Sequence, residues 1–152
     1  MASMSELEAV REECRRLVRR RALVSAGVAV VPVPFLDIVV DARILMELLP
    51  EISHRFGLAP ERIEHLEAGQ KRRAWKVIRA RGSRLIGIVL TRQIVRSSFQ
   101  TFAGRLVARQ VAKFIPLGGQ LVAAGLGYLV MRRLAYRHID DCFAVAQALA
   151  RD

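Results

Sequence analysis

Three groups of residues along this chain carry spacing that could do chemistry. His138 and Cys142 stand four apart, so on a helix they would share a face and could supply two ligands to a metal. No second pair of such residues follows or precedes them at ligand spacing, and no metal is expected. Asp37 and Asp41 are also four apart, shortly after Pro34. On a helix they would form a cation or proton site beside a membrane, or they would stabilise the positive end of the helix dipole or pair with a basic segment. The third group is a run of charge: Lys71, Arg72, Arg73, Lys76, Arg79, Arg81 and Arg84 place seven cations within fourteen residues, with Trp75 among them. A run of this kind is ordinarily a solvated face. On an anionic membrane the same cations would meet phosphates while the indole sat at the headgroup boundary. No Ser/His/Asp arrangement, paired-carboxylate site or glycine-rich phosphate loop is present, so neither an enzyme nor a cofactor is expected.

The distribution of charge sharpens the third reading. Residues 68–139 hold 15 Lys and Arg and no Asp or Glu, whereas the rest of the chain holds 10 basic and 14 acidic residues. A field of one sign over that length must be met by external anions or by the acidic remainder folding back onto it. Anionic lipid, nucleic acid and an acidic protein are the candidate external anions. Nucleic acid is the least expected of them, because no recognition motif occurs and aromatic residues make up only 6% of the chain. A partner protein and a second copy of the chain are the other candidate partners.

The elements that must position these residues read as helices throughout. A length of 152 residues with 53% apolar content suits one all-α domain, and it excludes intrinsic disorder. Two cysteines make no disulfide framework, and both read as buried small hydrophobes. The start of the chain, charged and helical in pattern through Arg21, lacks the form of an export signal, so an intracellular protein is expected. Ser5-Glu6-Leu7-Glu8 reads as a capping box opening a first helix, with Leu7, Val10, Cys14, Leu17 and Val18 on its apolar side. Pro32 and Pro34 break the chain, and a second helix then runs to about Gly57. Its polar arc holds Asp37, Asp41, Arg43, Glu47, Glu51, His54 and Arg55, opposite Phe35, Ile38, Leu45, Leu49, Ile52 and Phe56. Pro60 opens a third helix to about Ala80, Ser83 a fourth to about Lys113, and Gly119 a long fifth to about Leu149. The expected architecture is an antiparallel bundle of about five helices.

Two apolar stretches, Ala22 to Leu36 and Phe114 to Met131, are interrupted by prolines and paired glycines and fall short of the roughly 20 residues a spanning helix needs. Arginines flank their boundaries, so two true spans would break the preference for basic loops on the cytoplasmic side. Hairpins that dip into the membrane or lie on it keep the arginines on one side, and the interior of a water-soluble bundle is the alternative. Gly119, Ala123 and Gly127 recur every four residues, a stripe that lets another helix approach closely in either setting.

At these hairpins the chain resembles a known family. Val31-Pro32-Val33-Pro34-Phe35-Leu36-Asp37, continuing through Ile44-Leu45-Met46 to Phe56-Gly57-Leu58, and Ala112-Lys113-Phe114-Ile115-Pro116-Leu117-Gly118-Gly119 are similar to the helical membrane-associated domain of unknown function typified by the bacterial YcjF protein. That domain is often found beside dynamin-like or Era-like GTPases. The resemblance implies an all-α fold at the cytoplasmic face of the inner membrane, with a GTPase partner. The chain has no phosphate loop, so it is not itself the GTPase, and residues 70–110 are richer in arginine than the family pattern. The reading carried forward is a non-enzymatic helical module that binds an anionic membrane surface and scaffolds or regulates a partner. The alternative is a soluble, cytoplasmic, basic helical protein that binds nucleic acid or an acidic protein, such as an inhibitor.

Overall fold

The computed structural model describes residues 2–29, 36–91, 93–98, 101 and 119–151, and describes side chains for 2–22, 44–91, 93–98, 101 and 129–151. All regular structure among them is helical, with no strand. Val31, Pro32, Val33, Pro34 and Phe35, and Phe114, Ile115, Pro116, Leu117 and Gly118, lie outside the described residues.

Helix α1 spans Met4–Ala29. Its capping box uses Ser3 rather than Ser5: the Glu6 backbone N–H donates to Ser3 Oγ at 3.3 Å, and the Ser3 N–H donates to Glu6 Oε2 at 2.6 Å. The two orphan donors are thus satisfied reciprocally, two residues earlier than the Ser5-x-x-Glu8 pattern would place them. Helix α2 spans Leu36–Arg55 and ends as expected at Gly57. There the Leu58 N–H reaches the Ser53 carbonyl at 2.8 Å and the Gly57 N–H reaches the His54 carbonyl at 3.0 Å, with Gly57 at φ 74°. This double bond pattern needs a left-handed residue, which glycine adopts without a Cβ penalty.

The third expected helix is two. Helix α3 spans Pro60–Glu64, and α4 spans Ala68–Arg81, separated by His65–Glu67 with Glu67 in an extended conformation. The fourth expected helix does not begin at Ser83. Residues 82–91 form a loop, and helix resumes at 93–98 under a Thr91 cap whose Oγ1 accepts from the Ile94 N–H at 3.3 Å. Two local contacts hold the loop open. Ser83 Oγ takes the Leu85 N–H at 3.3 Å, and Gly87 sits at φ 81° against the Trp75 ring. A Cβ on Gly87 would stand 2.9 Å from Trp75 Cη2 and 3.2 Å from Ile63 Cδ1. Gly87→Ala therefore combines left-handed strain of about 1–2 kcal/mol with displacement of the indole. We expect a loss of about 2 kcal/mol in denaturant unfolding, together with a shifted emission from the single tryptophan. Unchanged stability and emission would show that the loop relaxes freely.

Helix α5 spans Gly119–Arg151 and is the axis of the bundle. Helix α1 runs antiparallel to it: Met4 meets Gln147, Arg11 meets Asp140, and Ala22 shares a cluster with Met131. Helix α1 is antiparallel to α2 as well, since Glu13 pairs with Arg55 and Arg21 with Glu47. Helices α2 and α5 consequently run in the same direction. The core is one stripe from each: Leu7, Cys14 and Val18 of α1; Leu48, Ile52 and Phe56 of α2; Ala135, Ile139, Cys142 and Val145 of α5. Burial of this apolar area, at roughly 25 cal/mol per Å², is what holds the helices. A second cluster, Ala22, Leu45, Leu49, Val95, Met131 and Leu134, continues the core toward the 93–98 helix. Helix α4 docks on α5 through Ala74 and Ile78, while Ile86 of the following loop is buried beside them.

Candidate anion-binding surface and a buried polar cluster

Docking of α4 through Ala74 and Ile78 decides where its cations go. Arg72, Lys76 and Arg79 lie at i, i+4 and i+7, opposite the buried pair, and all three are exposed. They form a row about 10 Å long at 1.5 Å per residue. Arg81 at the helix end and Arg84 in the loop are exposed too. The two remaining members of the run are engaged within the fold. Lys71 Nζ lies 2.6 Å from Glu64 Oε1, and Arg73 donates to the Leu149 carbonyl at 3.3 Å, tying α4 to the last turn of α5. The Lys71 ammonium, through hydrogen bond and charge, holds the Glu64 carboxyl below its usual range.

Several acidic residues pair with arginines elsewhere. Asp140 takes Arg11 at 2.7 Å and Arg15 at 3.6 Å; Glu12 takes Arg19; Glu13 and Glu51 take Arg55; Glu47 takes Arg21. The Asp140, Glu13–Arg55 and Glu47–Arg21 pairs knit α1 to α5 and α2, and being exposed each pair contributes little to stability. Among the described residues, Arg72, Lys76, Arg79, Arg81 and Arg84 meet no carboxylate. Of the two ways to balance the basic segment, the described acidic side chains do not supply the internal one for this row. Trp75 does not stand out beside the cations as an exposed indole. It is half-buried against the main core, with its ring edge under Gly87.

His138 and Cys142 do share a face, and it is the buried one. Ser53 of α2 joins them: its Oγ lies 2.8 Å from His138 Nε2 and 3.9 Å from Cys142 Sγ, and Cys142 Sγ lies 3.6 Å from the same nitrogen. Sequence spacing pointed to the His–Cys pair but not to Ser53, because the contact depends on the parallel register of α2 and α5. The three are nearly inaccessible. Burial pushes the His138 imidazole down to about 4, opposed more weakly by the Leu49 backbone, and pushes the Cys142 thiol up to about 12. Burial likewise raises Cys14 to about 11. These directions keep thiol and imidazole both neutral, the reverse of a thiolate–imidazolium nucleophile. His138 Nδ1 finds no partner meeting hydrogen-bond geometry among the described residues. Both cysteines are free and buried, and no three His, Cys, Asp or Glu side chains gather as a metal set among the described residues.

Asp37 and Asp41 fall in the first turns of α2, and Gly119, Ala123 and Gly127 in the first turns of α5; their side chains lie outside those described. Among the described residues no helix is long and apolar enough to cross a membrane. No family model matches the chain, and no curated protein or solved structure matches it either.

Proposed function

We propose that this chain is a non-enzymatic helical module that holds an anionic membrane surface through the outer face of α4. The observation that carries the reading is the row Arg72, Lys76 and Arg79, exposed and without carboxylate partners among the described residues, while Glu12, Glu13, Glu47, Glu51 and Asp140 pair with arginines of α1 and α2. A helix that presents cations at i, i+4 and i+7 meets a flat array of phosphates along its whole length, at about 1 kcal/mol per charge near the surface. The half-buried position of Trp75 argues against the nucleic-acid alternative, since the one tryptophan of the basic segment is not free to stack on a base. The resemblance to the YcjF-type domain extends the proposal to the cytoplasmic face of the inner membrane and to a scaffolded partner, a GTPase in that setting.

Sedimentation of the full chain with vesicles tests this. The chain should pellet with mixed phosphatidylcholine–phosphatidylglycerol vesicles and stay in solution with phosphatidylcholine alone. Its affinity should fall as salt shortens the Debye length from about 10 Å at 0.1 M to about 3 Å at 1 M. Tight binding to duplex or single-stranded oligonucleotides at physiological salt, with no pelleting on anionic vesicles, would replace this reading with the soluble one.

A further inference from the structure

The sequence places an aromatic residue at the headgroup boundary, and the structure puts that residue beneath a loop instead. What the loop exposes in its place is aliphatic. Residues Leu85 to Leu90 carry no charge: Ile86 is buried, Leu85 and Leu90 pack against the second core cluster, and between these anchors Val89 is 72% exposed with Ile88 half-buried beside it. Ile86, buried, and Leu85 and Leu90, packed against the core, anchor the loop on both sides of the tip. Its position relative to the cations follows from Gly87. That backbone touches the Trp75 ring, and Trp75 is bracketed on α4 by Arg72 at i−3 and Arg79 at i+4. Val89 lies two residues beyond Gly87, within about 7 Å of chain. Arg84 is exposed at the start of the same loop.

We propose that the Ile88-Val89 tip is a wedge that enters the acyl boundary of an anionic leaflet while Arg72, Lys76, Arg79 and Arg84 hold the surrounding phosphates. Charge complementarity selects the occupant: an apolar tip rimmed by cations that meet no carboxylate among the described residues matches hydrocarbon beneath a layer of negative headgroups. An isolated exposed valine carries no such meaning. Here it joins a fixed apolar turn to a one-sign rim. This inference rests on the anionic-surface reading and adds to it a second, apolar component that salt does not screen.

The test uses the full chain. A Val89→Cys variant can be labelled at that position alone with an environment-sensitive fluorophore, because Cys14 and Cys142 are 0% exposed in the fold. On phosphatidylcholine–phosphatidylglycerol vesicles the label should shift to the blue and be quenched by brominated acyl chains. Val89→Ser, which removes the apolar contact without adding charge, should bind those vesicles about tenfold more weakly with unchanged helicity. If the wild type binds the vesicles but the label stays in water and Val89→Ser binds equally well, the wedge is wrong and the electrostatic row stands alone. If the wild type ignores anionic vesicles, both readings fall.

Discussion

Replacing Arg72, Lys76 and Arg79 together by glutamine is expected to weaken binding to anionic vesicles by about 3 kcal/mol, more than a hundredfold, at roughly 1 kcal/mol per charge. The three side chains project from the outer face of α4, away from the Ala74–Ile78 contact, and meet no carboxylate among the described residues. Removing their charge thus strands no buried partner and should leave helicity and melting temperature as in the wild type. Lys71→Gln and Arg73→Gln are the internal controls. They loosen the contacts with Glu64 and Leu149, so their effect should be read in stability more than in binding. Should the triple variant bind as tightly as the wild type, the row is only a solvated face.

Acidification is expected to remove about 3 kcal/mol of stability between pH 6.5 and pH 4, and His138 is the cause. Its folded-state value lies near 4 against an ordinary 6.5, because the protonated ring would be a charge sealed between α2 and α5. In that window the unfolded chain takes up a proton that the folded chain refuses. Stability therefore rises with pH through the window, is complete above about 6.5, and is lost as pH falls toward 4. Asp141 works in the opposite sense, since burial raises its value and it gains a proton in the folded state first. His138→Gln retains an amide partner for Ser53 and has nothing to titrate. Denaturant unfolding at several pH values should show a markedly smaller slope for this variant across the window, at some cost in stability at neutral pH. An equal slope in wild type and variant would assign the acid loss to other groups. At the alkaline end, the raised thiols of Cys14 and Cys142 favour the folded state's protons, so stability falls as pH rises past the ordinary thiol value of 9 toward 11–12.

Much of this protein was legible in the order of its residues, and the reason is periodicity. The spacing of Leu7, Cys14 and Val18, of Leu45, Leu49, Ile52 and Phe56, and the long apolar run after Gly119 announces three helices with buried stripes, and those stripes form the core. Gly57 announces the end of α2 because no other residue closes that turn as cheaply. The charge asymmetry of residues 68–139 is likewise a property of sequence, and it calls for an anion before any coordinate is known. What stayed hidden depended on contacts distant in sequence or on competing local bonds. A new helical pattern starts at Ser83, yet Ser83 capping Leu85 and Gly87 set against Trp75 leave residues 83–90 as a loop with Val89 at its tip. Ser53 carries no sign of its role until the parallel register of α2 and α5 sets it 2.8 Å from His138, across 85 residues of chain. The seven clustered cations look alike in sequence. Only the docking of α4 separates Lys71 and Arg73, which bind within the fold, from Arg72, Lys76 and Arg79, because a helix packed by one stripe must turn the opposite stripe outward.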